Sequence, residues 1–77
     1  MDDLVYHYEN GQISWKFSFE NGKKEGASVS YHENGQIWEK GIYKNGKMEG
    51  VWVSYNKDGT VDKEYAGTYK NNVKISD

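Results

Sequence analysis

At 77 residues, the chain is one small domain, near the size where a single core barely offsets chain entropy. Its lysines are scattered rather than clustered, and a net charge of −2 excludes the concentrated basic face on which direct nucleic-acid or anionic-lipid binding relies. Without cysteine there is neither a disulfide nor a Cys/His zinc site, and no apolar run reaches membrane-spanning length, so the expectation is a soluble, cytoplasmic chain with no cofactor.

Turn signals then divide the chain evenly. Asn10-Gly11, Asn34-Gly35 and Asp58-Gly59 recur every 24 residues, with Asn21-Gly22, Asn45-Gly46 and Asn71-Asn72 between them. Residues that tolerate a left-handed backbone at such regular spacing mark an internal repeat of β-hairpins. Strands are expected near 3–8, 12–19, 23–32, 36–43, 47–56, 60–69 and 73–76, with no helix. The fold class is all-β: a single curved antiparallel meander within one domain, 1–77, whose units span about 5–28, 29–52 and 53–77. The last unit runs two residues late, an offset that keeps each side chain on its own face of a strand.

Side-chain parity gives an expected register. Two-residue type I′ turns would put Val51, Val53 and Tyr55 on the face opposite Ile37 and Tyr43. Three-residue loops closed by a bulge instead pair Tyr43 with Lys47, Glu39 with Val51 and Ile37 with Val53. The bulged loop is therefore expected at all six turns: 9–11, 20–22, 33–35, 44–46, 57–59 and 70–72, with Asn72 in the left-handed position. One face then carries Val5, His7, Ile13, Trp15, Phe17, Phe19, Ala27, Val29, Tyr31, Ile37, Gly41, Tyr43, Val51, Val53 and Tyr55, and continues through Val61, Tyr65, Gly67, Tyr69, Val73 and Ile75. A bare apolar sheet face is unstable in water. The preferred expectation is a sheet that curls over this face, bent at Gly41 and Gly67, with cover by a second copy as the alternative.

The same register makes the opposite face polar in the first unit, through Ser14, Lys16, Ser18, Ser28 and Ser30. In the middle unit it holds Trp38, Lys40, Ile42, Met48 and Trp52, with Trp38 opposite Trp52 and Ile42 opposite Met48. Trp and Met exposed together favour a protein-binding surface, and the expected partner-binding residues are Trp38, Trp52, Ile42, Met48, Lys40 and Glu64. Chemistry is not expected. His7 reads as a packed aromatic substitute and His32 as a solvated residue beside a turn. Loop positions exchange Glu for Lys, and nothing assembles a nucleophile, base and oxyanion donor, so the chain is not expected to be an enzyme or to bind a metal.

The motif Tyr31-His32-Glu33-Asn34-Gly35-Gln36-Ile37, followed by Gly41-Ile42-Tyr43-Lys44-Asn45-Gly46-Lys47-Met48-Glu49-Gly50, resembles the MORN repeat in its bacterial variant form. More specifically the chain resembles the toxin–antitoxin system YwqK family, over about residues 5–73. Phe17 stands where that pattern has Gly, and the last unit lacks its closing Gly. The resemblance implies an inhibitor or immunity protein that docks on a toxin or nuclease, with Glu25, Glu49, Asp58, Asp62 and Glu64 available to complement a basic partner. Two alternatives stand beside it: a MORN-type scaffold or membrane-apposed module, and a mobile-element inhibitor of a defence enzyme.

Overall fold

A computed structural model describes residues 2–77. The strands are β1 (Asp2–His7), β2 (Ile13–Glu20), β3 (Lys23–Tyr31), β4 (Ile37–Lys44), β5 (Lys47–Ser54), β6 (Gly67–Lys70) and β7 (Val73–Ser76). They form one antiparallel sheet in chain order, with no helix among the described residues. The molecule measures 33 × 30 × 11 Å. Stacked sheets lie about 10 Å apart, so this depth holds a single twisted layer. The sheet neither closes into a barrel nor folds over its own face. Among the described residues the buried hydrophobic side chains are Phe17, Trp52 and Tyr69.

The turns are of two kinds, one on each rim of the sheet. On the first rim the loops 9–11, 33–35 and 57–59 are the expected bulged loops. Gly11, Gly35 and Gly59 have φ of 89°, 88° and 90°, and their amides donate to the carbonyls of Tyr8, His32 and Asn56. On the other rim the expectation is corrected. Glu20 pairs with Lys23, Lys44 with Lys47 and Lys70 with Val73, which leaves only two residues per turn. Both turn residues have positive φ (Asn45 at 52°, Gly46 at 81°), as a type I′ turn requires. Asn72 does take the left-handed position, at φ 72°.

Two kinds of bulge explain why the parity argument failed. Tyr6 pairs with Trp15 and His7 with Ile13, so Ser14 is the extra residue; Ser30 pairs with Glu39 and Tyr31 with Ile37, so Trp38 is. Each extra residue undoes the one-residue shift of the neighbouring loop. Further along, 25–27 lie opposite Ser18 and 50–52 opposite Gly41. These wider bulges turn on Gly26 and Gly50, at φ 91° and 78°, and account for the closing glycine of the repeat. The third unit has a correction of its own. Only the Tyr55–Val61 bridge and Gly67–Lys70 remain of the strand expected over 60–69. Its two additional residues are absorbed in a turn in which the Asp62 carbonyl accepts from the Tyr65 and Ala66 amides.

The true register exchanges about half of the two expected faces. Leu4, Tyr6, Trp15, Phe17, Phe19, Ser28, Ser30, Glu39, Gly41, Tyr43 and Trp52 share one face, which is the aromatic one. Val5, Lys16, Val29, Lys40 and Val53 form a single cross-strand row on the other. In that row lysine stems lie beside valine methyls while their ammonium groups stay in water. His7 is exposed rather than packed, and His32 is buried rather than solvated.

Trp52 sits in a slot made by glycine. It is 2 % exposed, pairs with Gly67, and donates from Nε1 to the Ile42 carbonyl at 3.2 Å. A Cβ added at Gly41 would fall inside its indole. Gly41 therefore makes room for a ring instead of bending the sheet. The first unit solves the same problem in reverse: Phe17 replaces the glycine and Ser28 replaces the tryptophan, paired directly across β2 and β3. Gly41→Phe alone should unfold the chain, or cost more than about 3 kcal/mol, whereas Gly41→Phe with Trp52→Ser should recover most of the loss. Urea denaturation of the two variants checks this.

Candidate functional site

The aromatic face is built around a run of rings on β1 and β2. Trp15 and Phe17 lie 4.1 Å apart between centroids, Phe17 and Phe19 5.0 Å, and Tyr6 stacks against Trp15 at 6.2 Å. Tyr43 meets Trp52 edge-on at 5.0 Å. Lys24 bridges these groups, its ammonium 4.6 Å from the Trp15 ring and 4.9 Å from Tyr43. Such contacts contribute roughly 0.5–1.5 kcal/mol per aromatic pair and 0.5–1 kcal/mol per exposed cation–π contact.

Trp38 belongs to this face too. The bulge that displaces it from the ladder lays its ring on His32, with centroids 4.9 Å apart and planes 15° from parallel. His32 is fixed beneath it, Nε2 donating to the Tyr55 carbonyl at 2.8 Å. Tyr8 makes the equivalent bond one unit earlier, from its hydroxyl to the Tyr31 carbonyl at 2.6 Å. Trp38 remains 46 % exposed and lines a groove of about 300 Å³ with Tyr8, Ser14, Trp15, Ser30 and Glu39.

Glu39 occupies the place that Trp15 holds one unit earlier. Burial raises its carboxyl pKa first, the charge of Asp62 raises it further, and Lys24 acts in the opposite direction. Burial, and then Glu39 itself, likewise raise the Tyr43 hydroxyl. Among the described residues, no ion pair forms with Glu39.

The six residues expected to bind a partner do not form one patch. Trp52 is enclosed by the sheet, and Met48 is half-buried on the aromatic face opposite Tyr43. Lys40 lies on the opposite face, as does Ile42, which is 55 % exposed and paired with Ala27 and Glu49. Glu64 lies in the turn before β6, its carbonyl accepting from Lys74 Nζ at 3.3 Å. Only Trp38 remains as an exposed ring, and not beside Trp52. Parity counting put Trp15 on the face opposite Trp38 because it contained no bulges within the strands, such as those at Ser14 and Trp38.

Several acidic groups read as free have structural duties. Glu25 Oε2 accepts from the Asn45 amide at 2.6 Å, and Glu49 Oε2 from the Asn71 amide at 2.9 Å, each holding the next tight turn. Asp58 accepts from the Thr60 hydroxyl and amide at 2.6 and 2.9 Å, and these bonds hold its carboxyl pKa below the usual value. No group of three or more His, Cys, Asp or Glu among the described residues could hold a metal ion.

Residues 24–45 match the family model of the MORN repeat variant. This stretch runs from the second residue of β3 to the first residue of the tight turn after β4. No curated protein and no solved structure matches the chain.

The sign of the Glu39 effect follows from its raised pKa. The folded state prefers the protonated carboxyl, so that stabilising contribution is complete below the ordinary value of 4.5 and is lost as pH rises through the raised one. Glu39→Gln should therefore be more stable than the parent chain at neutral pH, and the difference should shrink as pH falls toward 4.5. Denaturation midpoints measured across that range check the direction.

Proposed function

We propose that the chain is a protein-binding inhibitor, of the antitoxin or immunity kind, that neutralises a toxin or nuclease by laying its aromatic face on it. The supporting observation is a single-layer sheet that leaves Tyr6 and Trp38 52 % and 46 % exposed beside Trp15. Uncovered aromatic surface of this kind is characteristic of interface cores, where Tyr and Trp act as anchors. The likeness to YwqK-type antitoxins supplies the partner class, and the MORN repeat supplies a curved single-sheet platform. The opposite face suits docking less, because its Val5–Lys16–Val29–Lys40–Val53 row interleaves charge with small side chains.

The test is binding to the product of the neighbouring reading frame, together with relief of any growth arrest that product causes. Tyr6→Ala and Trp38→Ala should each weaken binding by more than about 1 kcal/mol, and Ile42→Ala on the other face by less than about 0.5 kcal/mol. Losses confined to Ile42 and Val51 would assign docking to the wrong face. Sedimentation with anionic vesicles that depends on Lys16 and Lys40 would favour the membrane-apposed MORN reading instead.

A further inference from the structure

The two buried side-chain polar atoms without a hydrogen-bond partner, among the described residues, are Ser30 Oγ and Ser54 Oγ. They are not scattered. Ser30 pairs with Glu39 across β3 and β4, and Glu39 pairs with Ser54 across β4 and β5. A half-buried carboxylate thus stands between two orphaned hydroxyls in one cross-strand row. Trp15 is the next member of that row on one side, and Trp38 is the bulged residue beside Glu39. Buried hydroxyls normally find partners, and a hydroxyl can accept as the carboxylate does, so two unpaired ones flanking one acid suit a group that brings several donors.

Among the described residues, no cationic side chain pairs with this acid. Lys24 is the cation that electrostatically offsets Glu39, but its ammonium rests over the Trp15 and Tyr43 rings and forms no ion pair with the acid. Asp62 on the other side adds negative charge. Comparison of the units shows the site to be specific to the middle one: Ser14-Trp15 becomes Trp38-Glu39, which moves the indole by one residue and introduces the carboxylate.

We infer that the groove bounded by Trp38, Trp15 and Tyr8 and lined by Ser30 and Glu39, with Ser54 next to Glu39 in the same row, receives a lysine or arginine side chain of the protein partner. An alkyl stem fits between the rings, and the cationic head offers several N–H donors to the carboxylate and hydroxyls at once. The occupant follows from charge: an apolar side chain would leave Glu39 and Ser30 unpaired, and an anionic one would face Glu39 and Asp62. This rests on the docking of the aromatic face and names the residue the partner would insert.

The probes are blocked single amino acids, so the experiment needs no partner. Acetyl-arginine methylamide and acetyl-lysine methylamide should cause saturable amide shifts at residues 30, 38, 39 and 54 in proton–nitrogen correlation spectra. The norleucine and glutamate analogues should bind at least fivefold more weakly. Glu39→Gln should weaken arginine binding at least fivefold while leaving the spectrum folded, and Trp38→Ala should weaken it whereas Trp38→Phe retains most of it. Equal response to norleucine, undiminished binding by Glu39→Gln, or shifts confined to the opposite face would overturn the assignment. Failure here leaves face-wide docking intact, since that is read from Tyr6 in the partner complex. Failure of Tyr6→Ala to weaken the complex leaves the groove result intact.

Discussion

A sheet one layer deep has no opposing core to hold its strands in register, so register has to be imposed where the chain turns. Both rims do this by bonding each hairpin to the next. On one rim Asn10 Nδ2 donates to the Glu33 carbonyl and Asn34 Nδ2 to the Lys57 carbonyl, each a full repeat onward. On the other, Glu25 and Glu49 accept from the following tight turns, and the Gly46 and Asn72 amides donate back to the Lys24 and Met48 carbonyls. The repeat is therefore more than a spacing of turns. It is a set of equivalent bonds that fix neighbouring hairpins at two points each. These polar links stand in for much of the register control that burial exerts in a two-layer protein.

Within that frame, the two units differ in where they keep their bulk. The first has Phe17 beside Ser28, and the second has Gly41 beside Trp52, so a large ring always lies over a small neighbour. The exchange moves the dense part of the face from β2 to β5, with the Trp52 indole covering Gly41 and Ser28 buried beneath the rings of β2. Trp38 and Glu39, where the first unit has Ser14 and Trp15, are the departures of β4 on this face. Departures from the repeat thus accumulate on one face and around one groove.

The seven-strand meander and the bulged loops at 9–11, 33–35 and 57–59 were legible from the turn residues, because Gly after Asn or Asp carries a strong local preference. The side-chain faces were not. Parity is a global count, and a single unpaired residue such as Ser14 or Trp38 inverts every assignment beyond it. One clue lay in the aligned units: Phe17 with Ser28 against Gly41 with Trp52 is a size-compensated pair, and compensation of that kind requires the two positions to touch. It would have placed Trp52 on the Gly41 face and away from Ile42. The duties of Glu25 and Glu49 were hidden for another reason. Their partners are backbone amides of turns 20 and 22 residues onward, and such amides leave no mark in a sequence.

The register that seats Trp52 over Gly41 and leaves Trp38 on His32 decides which rings share the aromatic face. Proton–proton Overhauser contacts in the isolated chain measure it directly. Cross-peaks from the Trp52 ring to the Gly41 α-protons and the Tyr43 ring, with those α-protons shifted upfield by the indole, are the expected result. Direct contacts between the Trp38 and Trp52 rings, with Gly41 unshifted, would contradict it.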